Sequence, residues 1–348
     1  MIVAVAIAAM LAPAPEALIE HWRTELYLAA QPAITGASSR VPFSLLDAFI
    51  VAAAAGLFLF WWRRLARSRA GRRMRAAGAA LGWTVVGGAA LYLVFLGTWG
   101  LNYRAAPLAR RLDFDGARVS EQTLERLADI AISELNRLHD HAHADAWPEG
   151  RELPVWLGPA FSTAQRLLGA PRLAVAAPPK PSLLGPYLRR AAITGMIDPF
   201  FLEVLITPDA LPFERPAIVA HEWGHLAGFA HEAEASFVGW LTCMQGDRQA
   251  MYSGWLDLYP RLAGSLPAAT RARLARRLGP GPHADYAAIE RRVREAVVPA
   301  VNDAAWAGYD RFLRTHRVPE GVASYDAVVR LVAGTAFESS WRPRLRPR

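Results

Sequence analysis

His221-Glu222-Trp223-Gly224-His225 is the stretch of this chain whose residue types and spacing can do chemistry. Residues i and i+4 share one helical face, so both imidazoles can address one metal ion while Glu222 sits beside the open coordination position. A zinc ion held this way acidifies a water molecule, and a neighbouring carboxylate can take the proton and pass it to a leaving amine. In a chain with nine histidines the five-residue pattern arises by chance on the order of once per hundred such chains. Its neighbourhood therefore has to supply the rest of the argument.

A tetrahedral catalytic zinc needs a third protein ligand, and His231, Glu232 and Glu234 follow closely. His231 completes HExxHxxGxxH, the metzincin spacing, but Met244 and Met251 stand in poor contexts for the Met-turn such enzymes need. Glu232 opens Glu-Ala-Glu-Ala, the ExxA arrangement of a ligand on the helix after HExxH, and is favoured. Glu234 is the alternative that reads as a supporting or exposed carboxylate. Tyr252 and Tyr325 are candidates for a phenol that stabilises an oxyanion or contacts substrate.

These residues need elements to position them. Pro216 suits the first turn of the metal helix and Gly228 its end. Phe200–Thr207 (FFLEVLIT) reads as a strand just before it, either the edge along which an extended peptide lies or an ordinary core strand. Residues 245–335 read as further helices broken at Pro260, Gly279-Pro280 and Pro319. His139, His141 and His143 alternate ahead of Pro148, which favours a solvated loop over a metal-binding strand or loop. Lys180, the only lysine, lies in the Pro-rich turn Ala177 to Pro186, and Cys243 falls on an apolar helix as a core residue.

The chain has 348 residues and a formal charge of +8, which invites a nucleic-acid reading. The distribution argues against one. Residues 1–107 carry ten basic and four acidic side chains, and residues 108–348 carry 29 and 27. Seven of the arginines lie in one stretch, Arg63 to Arg75, between two apolar segments. Residues 43–62 hold one charge, Asp47, and Ala76 to Tyr103 hold none. At about 1.5 Å per residue each can cross a hydrocarbon core about 30 Å thick. Trp61, Trp62 and Trp99 at the segment ends fit interfacial anchoring, and an Arg-rich short loop stays cytoplasmic. Residues 1–15 are apolar but interrupted by Pro13 and Pro15, and read as a further span or a signal peptide. The single cysteine excludes a disulfide scaffold or a cysteine-based zinc finger.

The expected architecture is an α-helical membrane anchor plus a mainly α (α+β) zincin-like metallopeptidase domain with a small sheet. Residues 1–107 form the membrane region, with spans near 1–18, 43–62 and 78–100 and the cytoplasmic Arg loop at 63–75. Residues 108–340 form an extracytoplasmic domain, and 341–348 a basic, disordered tail. The expected partners are the lipid bilayer and a peptide or protein substrate, with no nucleic acid.

The pattern HExxHxxGxxxExEA resembles that of a bacterial domain-of-unknown-function family of membrane proteins that are predicted zinc metallopeptidases, gluzincin-like in type. The resemblance extends over most of the chain, through Val41-Pro42-Phe43-Ser44, Trp99-Gly100-Leu101-Asn102-Tyr103-Arg104, Lys180-Pro181-Ser182, Gly195 and Asp198-Pro199-Phe200. It continues in Cys243, Tyr252-Ser253-Gly254 and Gly321-Val322-Ala323-Ser324-Tyr325. It implies glutamate at 232 and 234 as part of the pattern, with His231 at a variable site. Ser236 departs from the Asp or Asn that gluzincin relatives often carry there. The implied activity is peptide-bond hydrolysis in the bacterial cytoplasmic (inner) membrane, with Zn²⁺ on His221, His225 and Glu232 and with Glu222 as general base. The competing expectation is a non-catalytic membrane scaffold or receptor with a structural zinc, for which an intact Glu222 has no use.

Overall fold

The computed structural model describes residues 1–318, 321 and 327–347; Tyr325 and Pro319 lie outside them. The protein is mostly helical with one three-stranded sheet. Helices α1 (Ile2–Leu11), α2 (Glu16–His21) and α3 (Leu28–Ser39) precede an apolar hairpin of α4 (Leu45–Ala66) and α5 (Arg73–Thr98). Then come α6 (Glu121–Ala142), α7 (Glu152–Leu167), β1 (Pro179–Lys180), α8 (Gly185–Arg190), β2 (Gly195–Ile197) and β3 (Val204–Ile206). The remaining helices are α9 (Arg215–Leu226), α10 (Glu232–Met244), α11 (Arg248–Gly264), α12 (Ala268–Ala275), α13 (Pro280–Ala296), α14 (Pro299–Thr315) and α15 (Ala327–Gly334).

Among the described residues two helices, α4 and α5, are long and apolar enough to cross a membrane. Their large side chains point outward, with Phe58, Trp62 and Trp83 each more than half exposed, the reverse of a soluble helical pair. They pack on each other, and Trp61 Nε1 donates to Thr84 Oγ1 at 3.1 Å. Helix α1 breaks at Pro13 and Pro15, and the chain turns through 110° into residues 16–39. That second arm does not continue as an apolar span. Tyr27, Gln31 and Thr35 are buried, bonding to Leu226 O, Val175 and Leu202 O. These residues, expected outside the bilayer between two spans, are part of the helical domain's wall.

Lys180 and Glu203 explain how the hairpin is joined to that domain. Their buried ion pair measures 2.5 Å. Lys180 Nζ also donates to the carbonyls of Ser38 (2.7 Å) and Phe43 (3.2 Å), which flank the loop into α4. The other Glu203 oxygen accepts from Leu45 N (2.8 Å) and Leu46 N (3.3 Å), two of the unpaired donors at the start of α4. Ser44 caps the same end by accepting from Asp47 N, and Asp47 in turn accepts from Ser182 Oγ and Leu183 N. The lone lysine is thus more than a turn residue; it clamps the first turn of an apolar helix.

Several expectations need correction. Of the two readings of residues 200–207, the sheet edge is excluded and the core strand holds for Val204–Ile206. Strand β3 is central, parallel to β1 and antiparallel to β2, in the order β1-β3-β2. Phe200 and Phe201 belong to the β2–β3 turn, where the Asp198 carboxylate accepts both their N–H groups. Pro260 does not break α11, which continues to Gly264. Proline cannot donate to the carbonyl four residues back, and Tyr286 Oη supplies the missing bond to Leu256 O at 3.0 Å. The 139–143 stretch is the last turn of α6 and its cap rather than a loop. The tail is not disordered through most of its length: Leu345 bridges Leu112, Pro343 bridges Phe337, and Arg346 Nη2 donates to Phe114 O. Its alternating Arg-Pro sequence suits an extended strip, laid on a buried aromatic cluster that includes Trp341, Trp240 and Trp255.

Removing one member of a buried ion pair leaves the other uncompensated. Lys180→Met should destabilise the protein by about 3–5 kcal/mol, measured by denaturation in detergent. Lys180→Met with Glu203→Gln should recover part of that loss, since glutamine still accepts from the start of α4 without a stranded charge.

Candidate metal centre

Helices α9 and α10 form a tight antiparallel-like pair joined by a five-residue turn. The turn reverses at Gly228, whose φ of +82° suits glycine. Two further glycines set how close the helices come. A Cβ on Gly239 would lie 2.7 Å from His221 N, and one on Gly224 would lie 2.8 Å from Ala235 O. No side chain fits at either crossing point, so backbone meets backbone. Every residue of α10 is buried, and its first residue, Glu232, is carried up to the histidine face of α9.

Glu232 Oε2 lies 3.2 Å from His221 Nε2 and 3.5 Å from His225 Nε2. It is buried, yet makes no hydrogen bond of acceptable geometry. Ligand atoms around a tetrahedral zinc with bonds of about 2.0–2.1 Å stand about 3.3–3.5 Å apart. The spacing and the orphaned oxygen fit a cation shared by the three side chains. Both imidazoles are held from behind. His225 Nδ1–H donates to Phe229 O at 2.8 Å, which leaves Nε2 as the neutral ring's lone-pair nitrogen. His221 Nδ1 pairs with Ser236 Oγ at 3.0 Å. Serine thus occupies the orienting place where Asp or Asn was expected.

Glu222 faces the same space. Its Oε2 is buried and has no hydrogen-bond partner, and burial pushes its carboxyl above the ordinary glutamate value, outweighing the neighbouring histidines. Burial likewise opposes ionisation of Glu232, but the two imidazoles win and hold it well below its usual value. Burial works against charge on His225 too, while the Glu232 carboxylate lifts it to about 9.

The alternative ligands are used elsewhere. Glu234 Oε1 accepts from Leu108 N at 2.6 Å. His231 caps the start of α10, with its ring against Tyr103. Among the described residues the metal-capable group around HExxH is His221, His225 and Glu232. Tyr252 is not at this site: its hydroxyl donates to Asp285 at 2.5 Å, beside His139 and His143. Sequence reasoning missed Tyr309 on α14, whose hydroxyl donates to Glu232 Oε1 and is hydrogen-bonded to Tyr103. No motif marks it; an aromatic on an amphipathic helix is ordinarily packing.

These groups lie in a cavity of about 620 Å³. Apart from the ligands and Glu222 it is lined chiefly by apolar side chains, among them Phe95, Met196, Ile197, Trp306 and Phe312. Strand β2, the outer strand beside β3, forms one wall. The C-terminal end of α9, which carries the site, is held by two aromatics: Trp99 Nε1 donates to His225 O (3.2 Å) and Tyr27 Oη to Leu226 O (2.9 Å). Trp99, only 5% exposed, is consequently an internal strut rather than an interfacial anchor.

Fold and site together define a helix-rich protein in which an apolar helical hairpin is docked against a buried His₂Glu group able to hold a metal ion. The chain belongs to the family described as Protein of unknown function (DUF3810), whose model matches residues 22–333. No curated protein and no solved structure matches it.

Metal analysis of purified variants tests the ligand set. Glu232→Ala should lose one equivalent of zinc relative to the unsubstituted protein. His231→Ala should keep it, and Glu234→Ala should keep it while losing about 1–3 kcal/mol of stability through the unsatisfied Leu108 N–H.

Proposed function

We propose that this protein is a membrane-anchored zinc-dependent peptidase with Glu222 as its general base. The observation that carries the reading is the unpartnered, buried Glu222 carboxylate facing the same cavity as the His221, His225 and Glu232 group. A structural site closes its coordination sphere and needs no base. When bound, zinc would polarise the scissile carbonyl and acidify a water.

The chain's own residues account for the other tasks. Glu222 accepts the proton at its free carboxylate oxygen, and a carboxyl raised above its ordinary value is a better base near neutral pH. Tyr309 fixes the Glu232 carboxylate through Oε1 and so leaves Oε2 for the ion. The outer edge of β2 offers backbone groups to an extended peptide, as in strand addition. The aromatic and aliphatic walls favour apolar side chains next to the cleaved bond and keep bulk water from the charged group.

The hairpin supports a multi-pass arrangement in a bacterial inner membrane. The start of α4 is tied to Glu203, and the residue following α5 is tied to α9. Both ends of the hairpin therefore adjoin the domain, and the Arg63–Arg75 loop lies at its far tip. With that loop cytoplasmic, the metal group lies on the extracytoplasmic side, and anionic lipid headgroups are the loop's partners.

Glu222→Gln should retain zinc and lower cleavage of a peptide library by about 10²–10⁴-fold. Unchanged cleavage would sink the assignment of the base, and zinc without any cleavage by the unsubstituted protein would favour the scaffold reading. Tyr309→Phe should weaken zinc affinity or activity by about 10–100-fold without changing the cleavage preference.

A further inference from the structure

A second group of metal-ligating side chains lies apart from the HExxH residues, where α6, α11 and α13 meet. His139 and His143 stand four residues apart at the end of α6, so their rings share a face, with centroids 4.6 Å apart. For comparison, the His221 and His225 rings are 4.9 Å apart. Asp285, on α13, reaches them from 142 residues farther along the chain. Its Oδ2 is 2.9 Å from His143 Nε2 and 3.9 Å from His139 Nε2. The second distance is beyond hydrogen-bond reach, so the pair face each other across a gap. All three ligand atoms lie within 4.8 Å of one another.

The surroundings hold this arrangement in place. His139 Nδ1 pairs with Asp140 Oδ1 at 2.9 Å, which turns Nε2 inward, the carboxylate–histidine support common to metal ligands. Tyr252 Oη donates to Asp285 Oδ2, which holds that carboxylate from behind. Trp147, Phe213 and Tyr252 surround the His143 ring. The start of α13 is drawn onto α6 by Asn136, which accepts from Gly279 N and donates to Arg277 O. Gly281 completes the approach, since a Cβ there would lie 2.4 Å from the His139 ring. The side chains of His139, His143 and Asp285 are 21%, 29% and 11% exposed, so the group is partly open to solvent.

We propose that His139, His143 and Asp285 bind a second divalent transition metal, which pins α13 to α6. Two imidazoles and one carboxylate form a donor set suited to zinc and to cobalt in its place, rather than to calcium or magnesium. The site stands independently of the peptidase reading.

Full-length protein in detergent, titrated with Co²⁺ alone, tests it. The His221→Gln/His225→Gln variant should bind one equivalent with visible d–d absorption, and adding Asp285→Asn should abolish both. In parallel, His139→Gln/His143→Gln should hold one equivalent of zinc fewer than the unsubstituted protein. Circular dichroism on each variant checks that it is folded. A folded His221→Gln/His225→Gln protein that binds no cobalt would overturn the proposal. So would a zinc content in folded His139→Gln/His143→Gln equal to that of the unsubstituted protein.

Discussion

The contact on which the rest depends is the crossing of α9 and α10 at Gly224 and Gly239. With no Cβ on either side, the two backbones approach until His221 N and Ala235 O occupy the space side chains would take. That proximity lets Glu232, at the very start of α10, reach both imidazoles of α9. It also explains the complete burial of α10, which is enclosed by α7, α9, α11 and α15. Two buried glutamates and two imidazoles sit at this crossing, an arrangement that costs stability unless something offsets it. The apolar packing of Trp223, Phe237 and Trp255 around the pair supplies rigidity, and the His₂Glu group supplies a place for the compensating charge.

How much of this was legible in the sequence depends on how local the determinant is. The histidines of α9 share a face by helical periodicity alone, and ExxA spacing singled out Glu232. The apolar stretches around 43–62 and 78–100 overlap α4 and α5 because composition at that length leaves few alternatives. Tyr309 was not legible, since 77 residues separate it from Glu232 and only tertiary packing brings α14 over the site. Asp285 carried no signal for the same reason. His139 and His143 misled through alternation with His141, which resembles a loop, although the spacing of the outer two is helical.

Other misreadings came from satisfied polar groups. Trp99 looked like an anchor because it ends an apolar stretch, yet its indole N–H donates to the His225 carbonyl in the last turn of α9. Pro260 looked like a helix breaker because the cost of a missing donor is assumed unmet, and Tyr286 meets it. In each case a distant side chain reverses a rule that holds for isolated segments.

The docking of the hairpin has a geometric corollary. Phe95, in the last turn of α5, is also a wall of the cavity that holds the His₂Glu group. If α5 crosses a bilayer, the floor of that cavity stands within about one helical turn, some 5 Å, of the level where the helix emerges. The strut from Trp99 to His225 O permits little tilting away from that level. The height of the His₂Glu group above the lipid would then be fixed like a gauge. A chain segment emerging from the same leaflet could reach the site, whereas the far side of a bulky folded protein could not.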